Sequence, residues 1–576
     1  MIPACLELLS TLALAPMPNG AAPPQPVAEL LDHASLQQGI ERLVQQHGDL
    51  VQQMTIATSR AGREVSALRI TSGTDPMPGT PAILVVAGLD GPRAYTSSLA
   101  LQHAQQLAAG YGKVEEVTGL LDTTTVYVVP RLDPDGCEAR FATPLAEVLG
   151  TGHGFDDDRD GRQGEDGPAD VNGDGFVSWM RVPDPEGTWV ADPNDPRALR
   201  EADRAKGERG TWKLLPEGLD GDGDEEVAED PERDAVVNRN FPRHWKEHDP
   251  ASGLYPTHEP VAEGMVNFLL EAKDIALVVT YGEQGNLVEK PEKQGDDGPS
   301  RRGDVKTGVY ESDLPLYEEL GERYREATEN ETKGLGEQHG SLQGFLYHHR
   351  GLLCLDVDPW SMPLDAEAPE EEADDETGAA EEKDTEETDE EELPDPSDDA
   401  RRLVWADQNA AGAYLPWTPF DHPQLGPVEI GGWRPYARVE PPASELDGLA
   451  ESHFAFLLQL GALLPRLEWT EATGEALGGG LVEVRATLEN AALLPQQTRA
   501  GIRSRTVRPA RVRLVLPEGA ELLGGEPQTL VRDLAGTGGR RELRWLVGGV
   551  DDPTRIQVSF DTDNAGAATR NLEETN

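Results

Sequence analysis

Cysteine is scarce and dispersed. The chain of 576 residues has three, Cys5, Cys137 and Cys354. That is too few for a disulfide framework, and no C-x-x-C pair suggests a thiolate zinc site. Basic residues are also few: 50 Lys and Arg stand against 106 Asp and Glu, a formal net charge of -56. Such a chain repels a phosphate backbone and an anionic membrane surface, so no nucleic-acid partner is expected. Its natural partners are cations, either metal ions or basic peptides. Long apolar runs are missing too. No segment reaches the roughly 18 apolar residues of a membrane span. The nearest, MIPACLELLSTLALAPMPNGAAPPQ at the start, is short, contains Glu7 and has no basic opening. Read as a secretion leader over 1–27, it has Ala13-Leu14-Ala15 as a small-residue cleavage site. That reading places the protein in the envelope or outside the cell; without it a cytoplasmic location stands.

What is present is enough for cores in more than one domain. Residues 34–52 carry helical apolar spacing, followed by strand, tight turn and strand through MTIATS and VSALRIT. AILVVAG, TTTVYVVPRL (123–132), IALVVTYG (275–282) and GLLCLDVD (351–358) read as buried strands. They alternate with helices at about 95–110, 258–272 and 313–328, which predicts an α/β domain with a mixed sheet. Residues 363–400 hold about twenty acids and one lysine and are expected to be a disordered acidic insertion. WTPFDHPQLGPVEIGGW (417–433) is rich in aromatic, Pro and Gly residues and reads as ordered, and a helix is expected near 444–463. From 466 to 576 short alternating strands follow one another with no helical segment between them, the pattern of a C-terminal β-sandwich.

Three stretches carry the chemistry. VYVVPRLDPDGCEARF (126–141) ends a strand in Arg131 and turns at Asp133-Pro134-Asp135-Gly136. AVVNRNFPRHW (235–245) presents Asn238-Arg239, a pair suited to a carboxylate: the guanidinium binds it as a fork and the amide adds a directed donor. GSLQGFLYHHRGLLCLDVDPW (340–360) delivers Asp358 at the end of a buried strand. In this order and spacing they resemble the zinc carboxypeptidases, the carboxypeptidase A-like peptidases, over roughly 50–460. The resemblance implies a carboxypeptidase-like (phosphorylase/hydrolase-like) α/β domain over 28–465 and partners that are peptide or protein C-termini. It implies Asn238 and Arg239 as the grip on the terminal carboxylate. Arg181, in Ser178-Trp-Met-Arg181, corresponds to the arginine that polarises the scissile carbonyl. Asp358 stands where the family has its catalytic Glu.

The zinc ligands implied by the resemblance depart from its pattern. The His-x-x-Glu that follows the strand reads Asp90-Gly-Pro-Arg93. A carboxylate can ligate zinc, but an arginine stays protonated and repels a dication. The third-ligand segment LVVTYGEQ has no His; the position falls on Val279, or on Tyr281 in a shifted alignment. His244, His248, His339, His348 and His349 form no H-x-x-E or H-x-x-x-H pair, and read as surface or structural residues. The expectation is a family member without the peptidase zinc site that still binds chain ends. An active metallocarboxypeptidase with an atypical zinc site, and a structural calcium-binding secreted protein, are the alternatives. Calcium enters through alternating oxygen ligands: Asp156, Asp158 and Asp160-Gly161; Asp170, Asn172 and Asp174-Gly175; and a weaker copy at Asp220, Asp222 and Asp224.

Overall fold

The computed structural model describes residues 30–73, 77–151, 167–221, 227–228, 235–294, 307–364 and 395–574. The expected leader and most of the acidic insertion lie outside the described residues.

The buried runs form one six-stranded mixed sheet. Its spatial order is Val51–Thr58, Glu64–Ile70, Thr125–Val129, Ala82–Val86, Ile275–Tyr281 and Leu353–Val357. The first two strands are an antiparallel hairpin, and the second pairs antiparallel with Thr125–Val129. The last four strands run parallel. Strands buried on both faces read as continuous apolar runs rather than alternating ones, which is why these were visible in the sequence. On one face pack His33–Gln46, Thr96–Gly110, Leu314–Thr328 and Ala443–Gly461, whose Leu36, Leu101, Tyr324 and Leu457 share a core with Val85 and Val279. On the other pack Pro260–Glu271 and the turns around 237–241 and 342–350, with Val237, Phe241, Met265 and Leu346 against Leu84 and Val278.

A second, antiparallel sheet has the order Tyr414–His422, Gly426–Trp433, Trp179–Pro183, Trp212–Pro216, Trp189–Ala191 and Leu199–Glu201. Downstream of 466, a five-stranded and a four-stranded sheet enclose one core that includes Trp469, Val484, Val512, Trp545 and Phe560, the arrangement of a β-sandwich.

Two expectations are corrected here. The acidic insertion was drawn to residue 400, but Asp398–Asn409 is a helix. Ser397 caps it by accepting from the Ala400 amide, and Asp398 and Asp399 sit in its first turn, where acids suit the helix dipole. The C-terminal region does contain a helix, Arg499–Ser504. It docks the sandwich on the α/β domain: Thr498 Oγ1 donates to the Gly351 carbonyl (2.8 Å), and the Arg499 amide donates to Asp313 (2.9 Å). No helix among the described residues is long and apolar enough to cross a membrane.

Candidate functional site

The parallel strands end together, and in an open α/β sheet the carboxyl ends of such strands are where ligands bind. The Ala82–Val86 strand leads into Gly88, Asp90 and Arg93; Ile275–Tyr281 into Gly282, Glu283 and Gln284; Leu353–Val357 into Asp358. The turn after the first strand is tightly built. Gly88 sits at φ +55° with its amide on Thr96 Oγ1, and a Cβ there would lie 2.6 Å from Ser97 Oγ. Asp133 caps the short helix Pro134–Ala139 through the Gly136 amide. Asp135 accepts from Ser59, Arg63 and the Ala61 amide, so the Asp-Pro-Asp-Gly turn is held from the neighbouring hairpin.

Asp90 is 5% exposed. Its Oδ2 accepts from the Glu283 amide at 2.8 Å and its Oδ1 lies 3.4 Å from Asn238 Nδ2. Gly282 makes room for it: a Cβ at that position would stand 2.5 Å from Asp90 Oδ2. Burial, reinforced by the neighbouring Glu283 carboxylate, raises Asp90 to about 6. Three residues on, Arg93 donates through Nε (3.0 Å) and Nη2 (2.6 Å) to the two oxygens of Asp358. Both side chains are nearly dry, at 10% and 2% exposure. Burial alone pulls the guanidinium down, and the Asp358 carboxylate more than offsets it, holding Arg93 above its ordinary range. Ser361 Oγ also donates to Asp358 Oδ2 at 3.1 Å. The residue expected as the base is therefore one half of a forked, buried ion pair.

Asn238 and Arg239 do reach this cluster. Asn238 is wholly buried, with its Oδ1 accepting from the Leu342 amide (3.0 Å) and its Nδ2 toward Asp90. Arg239 is partly exposed and pairs through Nη2 with Glu283. Arg181 sits in the second sheet. It pairs with Glu429 across the second sheet (2.5 Å) and lies between the Trp212 and Trp417 rings, 4.8 and 4.7 Å from their centroids. Val279 and Tyr281 turn into the helix-covered core on the far face, so neither faces Asp90. The histidines are spent on other partners: His339 on Asp249 and His348 on Glu337, while His349 packs on Phe345 and His248 lies beside Glu247. His244 sits at φ +54° beyond the Asn-Arg-Asn turn. Among the described residues, no group of three His, Cys, Asp or Glu is placed to hold a metal ion.

Of the calcium candidates, Asp156, Asp158, Asp160, Asp222 and Asp224 lie outside the described residues. Asp170, Asn172 and Asp174 form a closed loop. Asp170 accepts from the amides of Gly173, Asp174 and Gly175, Asn172 Oδ1 from that of Asp174, and Asp174 Oδ1 from that of Phe176. The Asp220 backbone is bonded both ways to Gln424.

Sequence reasoning passed over Asp356, Thr280 and Glu283. Asp356 pairs in register with Thr280, whose Oγ1 donates to it at 2.9 Å. Burial pushes Asp356 up to about 7. Period-two alternation puts Cys354, Asp356 and Asp358 on one face of their strand, a signal already present in LCLDVD.

A family model described as zinc carboxypeptidase matches residues 36–182, and one described only as a domain of unknown function matches 466–573. Mouse (Mus musculus) carboxypeptidase A2 is 32% identical over 99 residues, 17% of this chain and 23% of that protein. Mouse carboxypeptidase D is 31% identical over 104 residues, 16% of this chain and 8% of that protein. The chain thus spans less than a quarter of the length of the curated relatives it matches. Among solved structures, bovine thrombin-activatable fibrinolysis inhibitor aligns at 13% identity with a TM-score of 0.33, covering 57% of this chain and 86% of that one. Carboxypeptidase A from Helicoverpa armigera aligns at 12% and 0.33, covering 57% and 65%. The sequence match, which runs through the strand end that carries Asp90 and Arg93, makes residues 36–182 of the α/β domain similar to the zinc carboxypeptidases, carboxypeptidase A2 among them.

Proposed function

We propose that this protein is a family member without the peptidase zinc site, which binds the free C-terminus of a peptide or protein and does not cleave it. The observation that carries the reading is the Arg93–Asp358 pair. A guanidinium stands where the resemblance puts the second zinc ligand. It cannot donate a lone pair, and its fixed charge repels a dication. The same contact occupies both oxygens of the carboxylate expected as the base. The donor set left at the strand ends, Asp90 and Glu283 without an imidazole, does not fit a zinc ion, so no hydrolytic step is derived through one.

Carboxylate binding rests on Arg239. It lies at the rim of the cluster, and its contact with Glu283 is one an incoming carboxylate would share or displace. Displacing one carboxylate by another preserves the ion pair, so the exchange costs little beyond rearranging Glu283. Asn238, wholly buried and bonded at both ends, holds the turn rather than the ligand.

The test uses the full chain. It is incubated with zinc, desalted and analysed for metal by mass spectrometry, and then offered peptides with free and amidated C-termini. The reading expects no stoichiometric zinc, no cleavage, and binding of the free-acid peptide alone that is lost in Arg239→Ala. Stoichiometric zinc that disappears in Asp90→Ala, with release of the terminal residue, would establish a working peptidase instead.

Calcium at Asp170, Asn172 and Asp174 is a separate proposal, supported by their alternation and by the loop already closed around Asp170. Carboxylate oxygens at this spacing suit a hard cation. A rise in melting temperature with calcium that Asp170→Ala abolishes supports it; equal curves with calcium and chelator refute it.

A further inference from the structure

Four of the chain's ten tryptophans stand on one face of the second sheet. Strand residues alternate between faces. Met180, Val428 and Ile430 point into the small core beneath this sheet, so Trp179, Arg181 and Glu429 point away from it. Trp212 and Trp417 clasp the Arg181 guanidinium and lie on its side. Trp189 pairs directly with Trp212 across the strands and shares that face. The strands that carry this row, from Tyr414–His422 to Trp189–Ala191, span about 19 Å at the usual strand spacing. Gly432 makes room between two of the rings: a Cβ there would lie 3.4 Å from Trp417 and 3.6 Å from Trp179. Arginine and glycine thus space the indoles, and among the described residues none of the four stacks on another ring.

The row is open and has unspent polar groups. Trp179 is 38% exposed and the other three are half-buried. Arg181 donates to Glu429 Oε2 through Nε alone; neither of its Nη groups has a hydrogen-bond partner among the described residues, and Glu429 Oε1 accepts from none of them. The Trp417 indole donates to the Arg197 carbonyl, whereas those of Trp179, Trp189 and Trp212 donate to no described residue. A guanidinium held between two rings can be a packing device and nothing more. That accounts for Trp212 and Trp417. It does not account for Trp179 and Trp189, which lie outside the clasp with their N–H groups unused. Tryptophan and arginine are also the residues in which binding energy concentrates.

We propose that this face binds a chain of neutral sugars, independently of the carboxylate grip. Sugar rings have flat C–H faces that stack on indoles, and hydroxyl groups that both donate and accept. The Arg181 Nη groups and the free indole N–H groups supply donors, and Glu429 Oε1 supplies an acceptor. Charge points the same way. The Arg181–Glu429 pair is neutral in sum, and the net charge of -56 repels an anionic polymer. A proline-rich peptide also docks on aromatic-lined grooves. Proline has no N–H, however, so such a segment would leave the Glu429 carboxylate unanswered. A row about 19 Å long, open along its length, fits several linked sugars rather than one.

Isothermal titration of the full chain decides it, with tryptophan fluorescence read alongside. The probes are cellohexaose, xylohexaose, maltohexaose and N-acetylchitohexaose, with hexagalacturonate as an anionic chain and hexaproline as a peptide. At least one neutral hexasaccharide is expected to bind, to change the tryptophan emission, and to bind about tenfold or more tighter than its own disaccharide. Trp179→Ala and Trp189→Ala, at separate places along the row, are each expected to weaken it about tenfold. Trp179→Phe and Trp189→Phe keep a ring and should retain most of the affinity, so an alanine variant that fails to fold does not leave the question open. Glu429→Gln, which keeps the shape and removes the charge, should weaken binding about threefold. No binding of any neutral hexasaccharide, or binding that survives both alanine variants, overturns the proposal. Binding of hexaproline alone, lost in the same variants, makes the row a peptide surface and overturns the sugar ligand. Tighter binding of hexagalacturonate than of every neutral chain overturns it as well.

Discussion

Replacing Arg93 by Met leaves Asp358, whose side chain is 2% exposed, as a buried carboxylate with only the Ser361 hydroxyl on it among the described residues. Removing one partner of a buried ion pair costs about 3–5 kcal/mol, because the other charge is stranded. Asp358→Leu strands the guanidinium and is expected to cost about as much. The double variant strands neither. Since apolar replacement of a whole buried pair is often neutral, it is expected within about 1 kcal/mol of the native chain. The coupling is then nearly as large as the two single effects added together, far outside the few tenths that separate independent sites. A chain with several cores need not unfold in two states, so the measurement is local. Native-state hydrogen exchange of the Leu353–Val357 amides, on the strand that leads directly into Asp358, reads the opening free energy there. The singles should exchange about a hundred- to several thousandfold faster and the double close to native. Singles that barely accelerate exchange, or a double whose cost is the sum of the singles, would refute the claim that this pair holds the strand ends together.

Three further outcomes follow from buried groups. His103 and His453 are fully buried and held neutral, pushed down by burial to about 3 and about 4. The unfolded chain therefore takes up their protons first. Their contribution to stability is present above the ordinary histidine value near 6.5 and is lost as pH falls toward 4. His103→Leu should flatten the acid side of a stability-against-pH curve from urea melts, and an unchanged slope between pH 6.5 and 4 would count against it. Asp356 acts with the opposite sign: raised to about 7, it takes up a proton in the folded state, so the native chain should gain stability relative to Asp356→Asn as pH falls from about 7 toward 4. Gly282→Ala puts a Cβ 2.5 Å from Asp90 Oδ2 and should lower the melting temperature by several degrees, whereas at Gly336, which like Gly282 is not at positive φ, an added Cβ meets nothing within 4 Å, and Gly336→Ala should leave it nearly unchanged.

How much of this was visible beforehand depended on burial. The central strands were legible because both of their faces are covered and their sequences are unbroken apolar runs, as in Ile83 to Val86. The second sheet was not. Its strands are three to nine residues long and half exposed, with Pro and Trp interspersed, so neither alternation nor a run stands out in Trp189–Ala191 or Tyr414–His422. The Asp398–Asn409 helix was hidden because its capping acids extend the preceding acidic run. At the site, motif order brought Asp90, Arg93, Asn238, Arg239 and Asp358 to attention, and all five meet at the strand ends. Their contacts could not be read: Arg93 and Asp358 are 265 positions apart, and Arg239 finds Glu283 from 44 away. The partners of Arg181 could not be read for the same reason, since its Trp212 and Trp417 neighbours come from separate strands of a sheet the sequence did not announce.

Taken one motif at a time, Arg93 reads as a lost ligand and Asp358 as a shortened base. In three dimensions the two form one unit, because each is the other's partner. A fixed guanidinium supplies at this position the counter-charge of a buried carboxylate. This has a consequence for any attempt to restore the family pattern. Arg93→Glu alone does not move the site toward zinc binding. It removes the counter-charge of Asp358 and sets a second carboxylate against it, with Asp90 already raised by its acidic neighbour Glu283. Like charges this close in a dry site are costlier than a missing partner. Arg93→Glu is therefore expected to open the Leu353–Val357 strand more readily than Arg93→Met does, by about 1 kcal/mol or more, and the excess should shrink as pH falls and one carboxyl takes a proton. Adding zinc at neutral pH separates the two accounts. If zinc returns Arg93→Glu to native exchange rates, the remaining donors do assemble around a metal and the charge-pair account of the site is wrong; if the variant stays open with zinc present, the ion pair is the structure's own replacement for it.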